Sequence, residues 1–301
     1  MRCQLLLFAA ALCAQERVTI TPRARIEPVH NTRPASMRMD VRLVQIPVSV
    51  TDMRGAPVLG LRAGNFRVFE DDVERPIAAI SVSEEPISTG IVFDTSRSMK
   101  ARIQNSRTAL DQFLRTGGTN DEFFLVRFSD HAEMLVPFTR NRAEIVDSLV
   151  SIEAKGWTAL VDAICLAAHA VHKGKQPRRV LLVLTDGDDN NSRYSESELL
   201  SLLREADVQV YAIDLIERSR LLQKICEQTG GRAIWVKRMA DLPAAMEDLS
   251  RQLRSEYLVS YNPAGLQNDG RYHRIRVEVD PPAGSPKLYP SWRHGYIAPG
   301  D

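Results

Sequence analysis

Several features that would settle the class of a protein at once are scarce or missing in this 301-residue sequence. Cysteines number 4 and aromatic residues are 6% of the chain, too little cysteine for a disulfide-stapled scaffold. Lys and Arg total 39 against 38 Asp and Glu, so there is no basic excess of the kind that holds nucleic acid or anionic lipid. No apolar run reaches the ~18 residues of a membrane-spanning helix, which excludes a transmembrane segment. Gly 16 and Pro 16 are too sparse for a collagenous or low-complexity chain, and the balanced charge argues against general disorder. No G-x-x-x-x-G-K sequence is present, so there is no phosphate loop. What remains is an ordinary soluble chain, 44% hydrophobic and 26% charged, long enough for about two domains.

Met1-Arg2 followed by the apolar run Leu5 to Leu12 and small residues at Ala11, Cys13 and Ala14 reads as a secretory signal peptide over residues 1–14. An N-terminal core helix is the alternative, and lipid attachment at Cys13 is disfavoured by the bulk of Leu12. The expected product is exported: periplasmic, cell-surface or secreted. It keeps 38 basic and 38 acidic residues and two cysteines, Cys165 and Cys226, both inside helical patterns. Their setting favours two buried free thiols over a disulfide. Residues 15–36 carry Pro22, Pro28 and Pro34 without any period and read as a flexible leader.

Residues 37–85 then alternate at period two. Val44, Ile46, Val48 and Val50 mark one strand, Phe66 to Glu70 a second and Ile77 to Val82 a third, with turns between them. Over 86–254 the pattern becomes βαβα. Strands are expected ending at Phe93, over Glu122–Phe128 with a companion at Met134–Phe138, and over Arg179–Leu184, Val208–Leu215 and Arg232–Val236. Helices are expected from Ile103 to Leu114, Ala143 to Ile152, Ala159 to His172, Glu196 to Glu205, Arg218 to Gln228 and Met239 to Arg254. Residues 255–301 return to β patterning around Tyr257–Tyr261 and Ile275–Val279. Neither β segment has enough strands to bury a sheet face alone. The expected fold class is therefore α/β: a doubly wound, mostly parallel sheet inserted into a small all-β sandwich-like module built from the N- and C-terminal segments.

In an open α/β sheet the ligand crevice lies beyond the carboxyl ends of the strands. Three polar loops fall at that edge: Asp94-Thr95-Ser96-Arg97-Ser98, Gly156-Trp157-Thr158, and Thr185-Asp186-Gly187-Asp188. They offer carboxylates and hydroxyls, with no imidazole or thiolate, which is a donor set for a hard divalent cation. D-x-S-x-S at Asp94, Ser96 and Ser98, Thr158 64 residues after Asp94, and Asp186 28 residues further on resemble the metal-ion-dependent adhesion site of von Willebrand factor type A domains. Outside residues 86–254, Asp52 to Leu61, Asn65 to Asp71 and Arg293-His294-Gly295-Tyr296 resemble a bacterial exported subfamily. The resemblance implies that Ser96, Ser98 and Thr158 ligate Mg2+ or Mn2+ through hydroxyls, with Asp94 and Asp186 bound directly or through water. It further implies a protein partner that presents an Asp or Glu to the metal, and a final helix whose shift on ligand binding is passed to the strand at Tyr257.

Arg97 and Trp157 stand where this family commonly has small residues. With Asp188 they form an expected partner-binding rim, although Trp157 packed on the sheet edge is the plainer alternative. A non-enzymatic role follows from the absence of a general base or activated nucleophile beside the site. Two rivals are a structural or assembly scaffold of the cell envelope whose metal loops only tie strand ends together, and an aspartic-type hydrolase built on Phe93-Asp94-Thr95-Ser96. The hydrolase would need a second such turn, and the sequence has none. Cys165 and His169, spaced i,i+4 with His172 following, have no further ligand cluster to join them and read as a core helix face.

Overall fold

The computed structural model describes residues 43–263, 269–282 and 284–299. The signal-peptide and leader segments lie outside the described residues. Four strands come first: β1 (Val44–Thr51), β2 (Phe66–Glu70), β3 (Val73–Arg75) and β4 (Ile77–Val82). The α/β part runs β5 (Ile87–Asp94), α1 (Ile103–Thr116), β6 (Glu122–Phe128), β7 (Ala132–Thr139), α2 (Arg142–Val150), α3 (Leu160–Val171) and β8 (Arg178–Thr185). It continues with α4 (Glu196–Ala206), β9 (Gln209–Leu215), α5 (Arg220–Thr229), β10 (Ala233–Val236) and α6 (Leu242–Leu253). The chain closes with β11 (Tyr257–Tyr261), β12 (Tyr272–Val279), β13 (Tyr289–Trp292) and β14 (Gly295–Ile297).

The central sheet has six strands in the order β10-β9-β8-β5-β6-β7, all pairs parallel except β6 with β7. Its strands are apolar on both faces because helices cover both. Alternate residues such as Val92, Leu181, Val183 and Ala212 meet α3, α4 and α5. Their neighbours Ile91, Phe93, Leu182 and Ile213 meet α1, α2 and α6. The alanines of α3 let that helix approach the sheet closely, and Gly90 lets Phe124 and Leu181 close over β5, where a Cβ would stand 2.2 Å from the Phe124 ring.

The remaining strands form two antiparallel four-stranded sheets, β13-β1-β11-β4 and β14-β12-β2-β3. Each mixes strands from the two ends of the chain: β1 pairs with β11 and β13, and β2 with β12. Ile46, Val48, Val50 and Val259 of one sheet and Phe66, Val68, Ile275 and Val277 of the other share one core. Within it Glu70 is fully buried and accepts hydrogen bonds from the hydroxyls of Tyr261 (2.9 Å) and Tyr296 (2.8 Å) and from Arg75 Nε (3.1 Å). The sandwich accommodates the insertion because the strands that lead into and out of it, β4 and β11, are hydrogen-bonded neighbours, with Tyr257 opposite Val82.

At that junction the Ser83 N–H donates to the Glu256 carbonyl (2.8 Å). The Glu256 carboxylate, fully buried, accepts from Arg178 Nη2 (2.5 Å), Gln209 Nε2 (3.1 Å) and the Tyr211 hydroxyl (2.5 Å). Arg178 Nη1 also holds the Leu253 carbonyl at the end of α6 (2.8 Å), and Arg254 pairs with Asp121.

Cys165 on α3 and Cys226 on α5 are free and buried. Burial pushes the Cys165 thiol up to about 12 and raises the Cys226 thiol well above its ordinary value, so both are held as inert thiols. His169 Nδ1 is hydrogen-bonded to the Cys165 carbonyl (2.8 Å), as a helix-face residue would be.

Candidate functional site

Asp94 ends β5, Asp186 directly follows β8, and Thr158 precedes the first turn of α3, so each lies at the carboxyl edge of the six-stranded sheet or in a loop beside it. Backbone hydrogen bonds stitch the three loops together. Lys155 N–H donates to the Thr95 carbonyl (2.9 Å), Arg97 N–H to the Gly156 carbonyl (3.1 Å) and Asn190 N–H to the Thr158 carbonyl (3.0 Å). Gly156 adopts φ +84°, and a Cβ there would sit 2.5 Å from the Asp130 carboxylate, which itself accepts from Trp157 N–H (2.8 Å). A glycine at this position is what allows the turn to deliver Trp157 and Thr158.

Oxygen atoms from two of these loops are in direct contact. The Ser96 and Ser98 hydroxyls are 3.0 Å apart, and the Ser98 hydroxyl donates to Asp186 Oδ1 (2.6 Å). Asp94 is fully buried: its Oδ1 accepts the Ser96 N–H (2.7 Å) and its Oδ2 the Thr185 hydroxyl (2.6 Å). Burial raises the Asp94 carboxyl above its ordinary range, opposed by those hydrogen bonds and reinforced by the charge of Asp186. The Thr158 backbone N–H is taken by Asn190 Oδ1 (2.9 Å), while its hydroxyl makes no hydrogen bond among the described residues. Among those residues no three His, Cys, Asp or Glu side chains gather at a metal-binding spacing. A cation here would therefore depend on hydroxyl oxygens, and the clustered serines with Asp186 fit a hard cation.

The expected rim divides. Trp157 is 66% exposed, so its ring stands in solvent and is not packed on the sheet edge. Arg97 is exposed at the start of a short 3-10 turn, and its side chain has no hydrogen bond or ion pair among the described residues. Asp188 is also exposed, and its charge acts on Asp214 of β9. Burial, with that charge adding to it, lifts the Asp214 carboxyl to about 6 against the pull of the Ser219 N–H.

Two contributors are not evident from the motif alone. Thr185, the last residue of β8, orients Asp94. Arg102, four residues after Ser98, donates through Nη1 to Asp186 Oδ2 (2.5 Å) and to the Ser98 carbonyl (2.8 Å). The i,i+4 spacing from the second serine was the available signal, since it returns a side chain to the same face of a helical turn.

In a doubly wound sheet such an oxygen-lined carboxyl edge is where ligands characteristically bind. Residues 89–188 match the family model of the von Willebrand factor type A domain, and the α/β part of this chain has the fold of such domains. A von Willebrand factor type A structure from Catenulispora acidiphila is 13% identical, with a TM-score of 0.52 over 88% of this chain and 76% of that one. Proximal thread matrix protein 1 from the mussel byssus, solved with a zinc-occupied MIDAS motif, is 22% identical, with a TM-score of 0.52 over 61% of this chain and 49% of its own. Inter-alpha-trypsin inhibitor heavy chain H4 of Sus scrofa is 27% identical over 227 residues, 65% of this chain. That match spans 24% of the pig protein's length.

Proposed function

We propose that this protein is an exported, non-enzymatic adhesion module that captures an acidic side chain of a protein partner through a divalent cation, Mg2+ or Mn2+. The observation that carries this reading is the contact chain from Ser96 through Ser98 to Asp186, beside a tryptophan left in solvent. Ser96, Ser98 and Thr158 would hold the ion through neutral hydroxyls, with Asp94 and Asp186 as the anionic ligands. When bound, the cation supplies Lewis acidity that is only partly neutralised and so attracts a carboxylate from outside. The chain's own residues position and exclude: Thr185 fixes Asp94, the Gly156 turn presents Thr158, and Trp157 gives an approaching partner a flat apolar contact.

A purely structural metal is less well supported, because direct backbone bonds already join the three loops without help from a cation. Hydrolysis by Asp94 lacks its second carboxylate turn. Residues 1–14, as read from the sequence, fit an exported location, and among the described residues no helix is long and apolar enough to cross a membrane.

Thermal unfolding in Mg2+ or Mn2+ against chelator tests the proposal. The melting temperature should rise with cation, and Asp94→Asn should lower cation affinity by on the order of a hundredfold. An unchanged melting temperature, with no cation-dependent binding to an Asp- or Glu-bearing peptide surface, would sink it.

A further inference from the structure

The charge that completes this site on the protein side comes from Arg102 and not from Arg97. Arg97 projects into solvent, whereas the Arg102 side chain is 27% exposed and the Asp186 side chain it touches only 1%. Both oxygens of Asp186 are thereby committed, Oδ1 to the Ser98 hydroxyl and Oδ2 to the guanidinium. The arginine is anchored at its base as well. Its N–H donates to the carbonyl of the fully buried Met99 (2.8 Å), and its own carbonyl accepts from Ser106 in the first turn of α1 (2.9 Å). A guanidinium held this way cannot drift off as a surface lysine would.

We infer that Arg102 is a resident counter-ion that competes with the divalent cation for Asp186 and so sets a weak intrinsic metal affinity. This inference rests on the metal-site reading above. A dication approaching Ser96 and Ser98 meets a unit positive charge already paired with one of its two carboxylates. In a partly buried site such like-charge repulsion is only incompletely screened, so it weakens binding of the ion. An incoming Asp or Glu relieves the conflict, because its carboxylate can complete the metal's coordination and give the guanidinium a second anionic partner. Metal and acidic ligand therefore bind with positive coupling: each raises the affinity for the other by the same factor. Arg102 is thus a specificity-determining residue, one that keeps the site from holding metal firmly until an acidic partner arrives.

Calorimetric and paramagnetic titration with Mn2+ alone, in the absence of any peptide, tests this on the full chain. Arg102→Gln keeps a hydrogen-bond donor and removes the charge, while Arg102→Lys keeps the charge. The glutamine variant should bind Mn2+ about tenfold tighter than the natural protein, and the lysine variant within about threefold of it. Binding by Arg102→Gln alone, with none by the natural chain, would be the same result in its extreme form. Equal or weaker binding by the glutamine variant overturns the inference while leaving the metal site standing, as does equal tightening in both variants. No Mn2+ binding by any of the three overturns the inference and the metal-site reading together. Far-ultraviolet circular dichroism of each variant verifies that the fold is kept.

Discussion

The two edges of the six-stranded sheet treat polar groups in opposite ways. At the amino edge, where β8 and β9 begin and α6 hands over to β11, Arg178, Gln209, Tyr211 and Glu256 are buried and bonded to one another. At the carboxyl edge Ser98, Arg97, Trp157 and Asp188 face solvent, and the Thr158 hydroxyl has no hydrogen-bond partner among the described residues. One edge is closed upon itself and joins two parts of the molecule. The other is held in shape by backbone bonds between its loops, with an exposed indole and exposed charged side chains around an internally bonded cluster of oxygens. Buried polar pairing at the amino edge and exposed side chains at the carboxyl edge match the division expected where ligands bind at strand carboxyl ends.

The comparison can be broken most forcefully at the closed edge. Arg178→Ala leaves Glu256 as an unpaired buried charge and should cost about 3–5 kcal/mol of unfolding free energy, measured by denaturant titration. A loss below about 1 kcal/mol would mean that the junction is not structurally closed. An intermediate effect belongs to Asp214, which is buried near the open edge. Its carboxyl, raised from 3.8 to about 6, favours the folded state while protonated. That contribution is full below pH ~4 and is lost as pH rises through about 6. Asp214→Asn should therefore flatten the stability profile between those limits and stabilise the protein at pH 7 by on the order of 2 kcal/mol. A profile that keeps its slope would show that Asp214 is better solvated than its burial implies. Smallest of all, Trp157→Ala should shift stability by less than ~0.5 kcal/mol, since its ring is in solvent. It should nevertheless weaken cation-dependent peptide binding by at least 1 kcal/mol if the ring is a contact anchor.

Much of this architecture can be read from the sequence because the signals are periodic. The apolar run into Thr185, the alternation from Val44 to Val50 and the alanine-rich α3 each announce one environment. The strands that carry no such signal are short. β3, β13 and β14 have three or four residues each and include Pro290 and Gly295; β13 and β14 exist because a partner strand and a shared core await them, and the largely exposed β3 because β2 pairs with it. The last helix is legible as one stretch from Met239 to Arg254, yet its first residues form a 3-10 turn before α6 begins at Leu242 with a proline in its first turn. In the site, the gathering of Asp94, Ser96, Ser98, Thr158 and Asp186 at one end of the sheet follows from motif spacing and sheet topology. The contacts of Thr185 and Arg102 do not: the i,i+4 spacing returns Arg102 to the turn of Ser98, but which oxygen each side chain meets depends on where it ends in space. The expected handover from the last helix to Tyr257 also acquires a physical restraint. Any shift of α6 must carry or break the bonds of Leu253 and Glu256 to Arg178, and of Arg254 to Asp121.

The interleaving of the two β sheets imposes an order on how the protein is made. β1 leaves the ribosome early, but its hydrogen-bonding partners are Tyr257–Tyr261 and Tyr289–Trp292, more than two hundred residues later. Until the α/β domain and β11 have been synthesised, Ile46, Val48 and Val50 have no sheet to join. Nascent chains of this design therefore carry an unpaired apolar strand while the intervening two hundred residues are made. The inserted domain can fold first from its own local contacts, and in doing so it brings β4 and β11 side by side as the template on which β1 finally pairs.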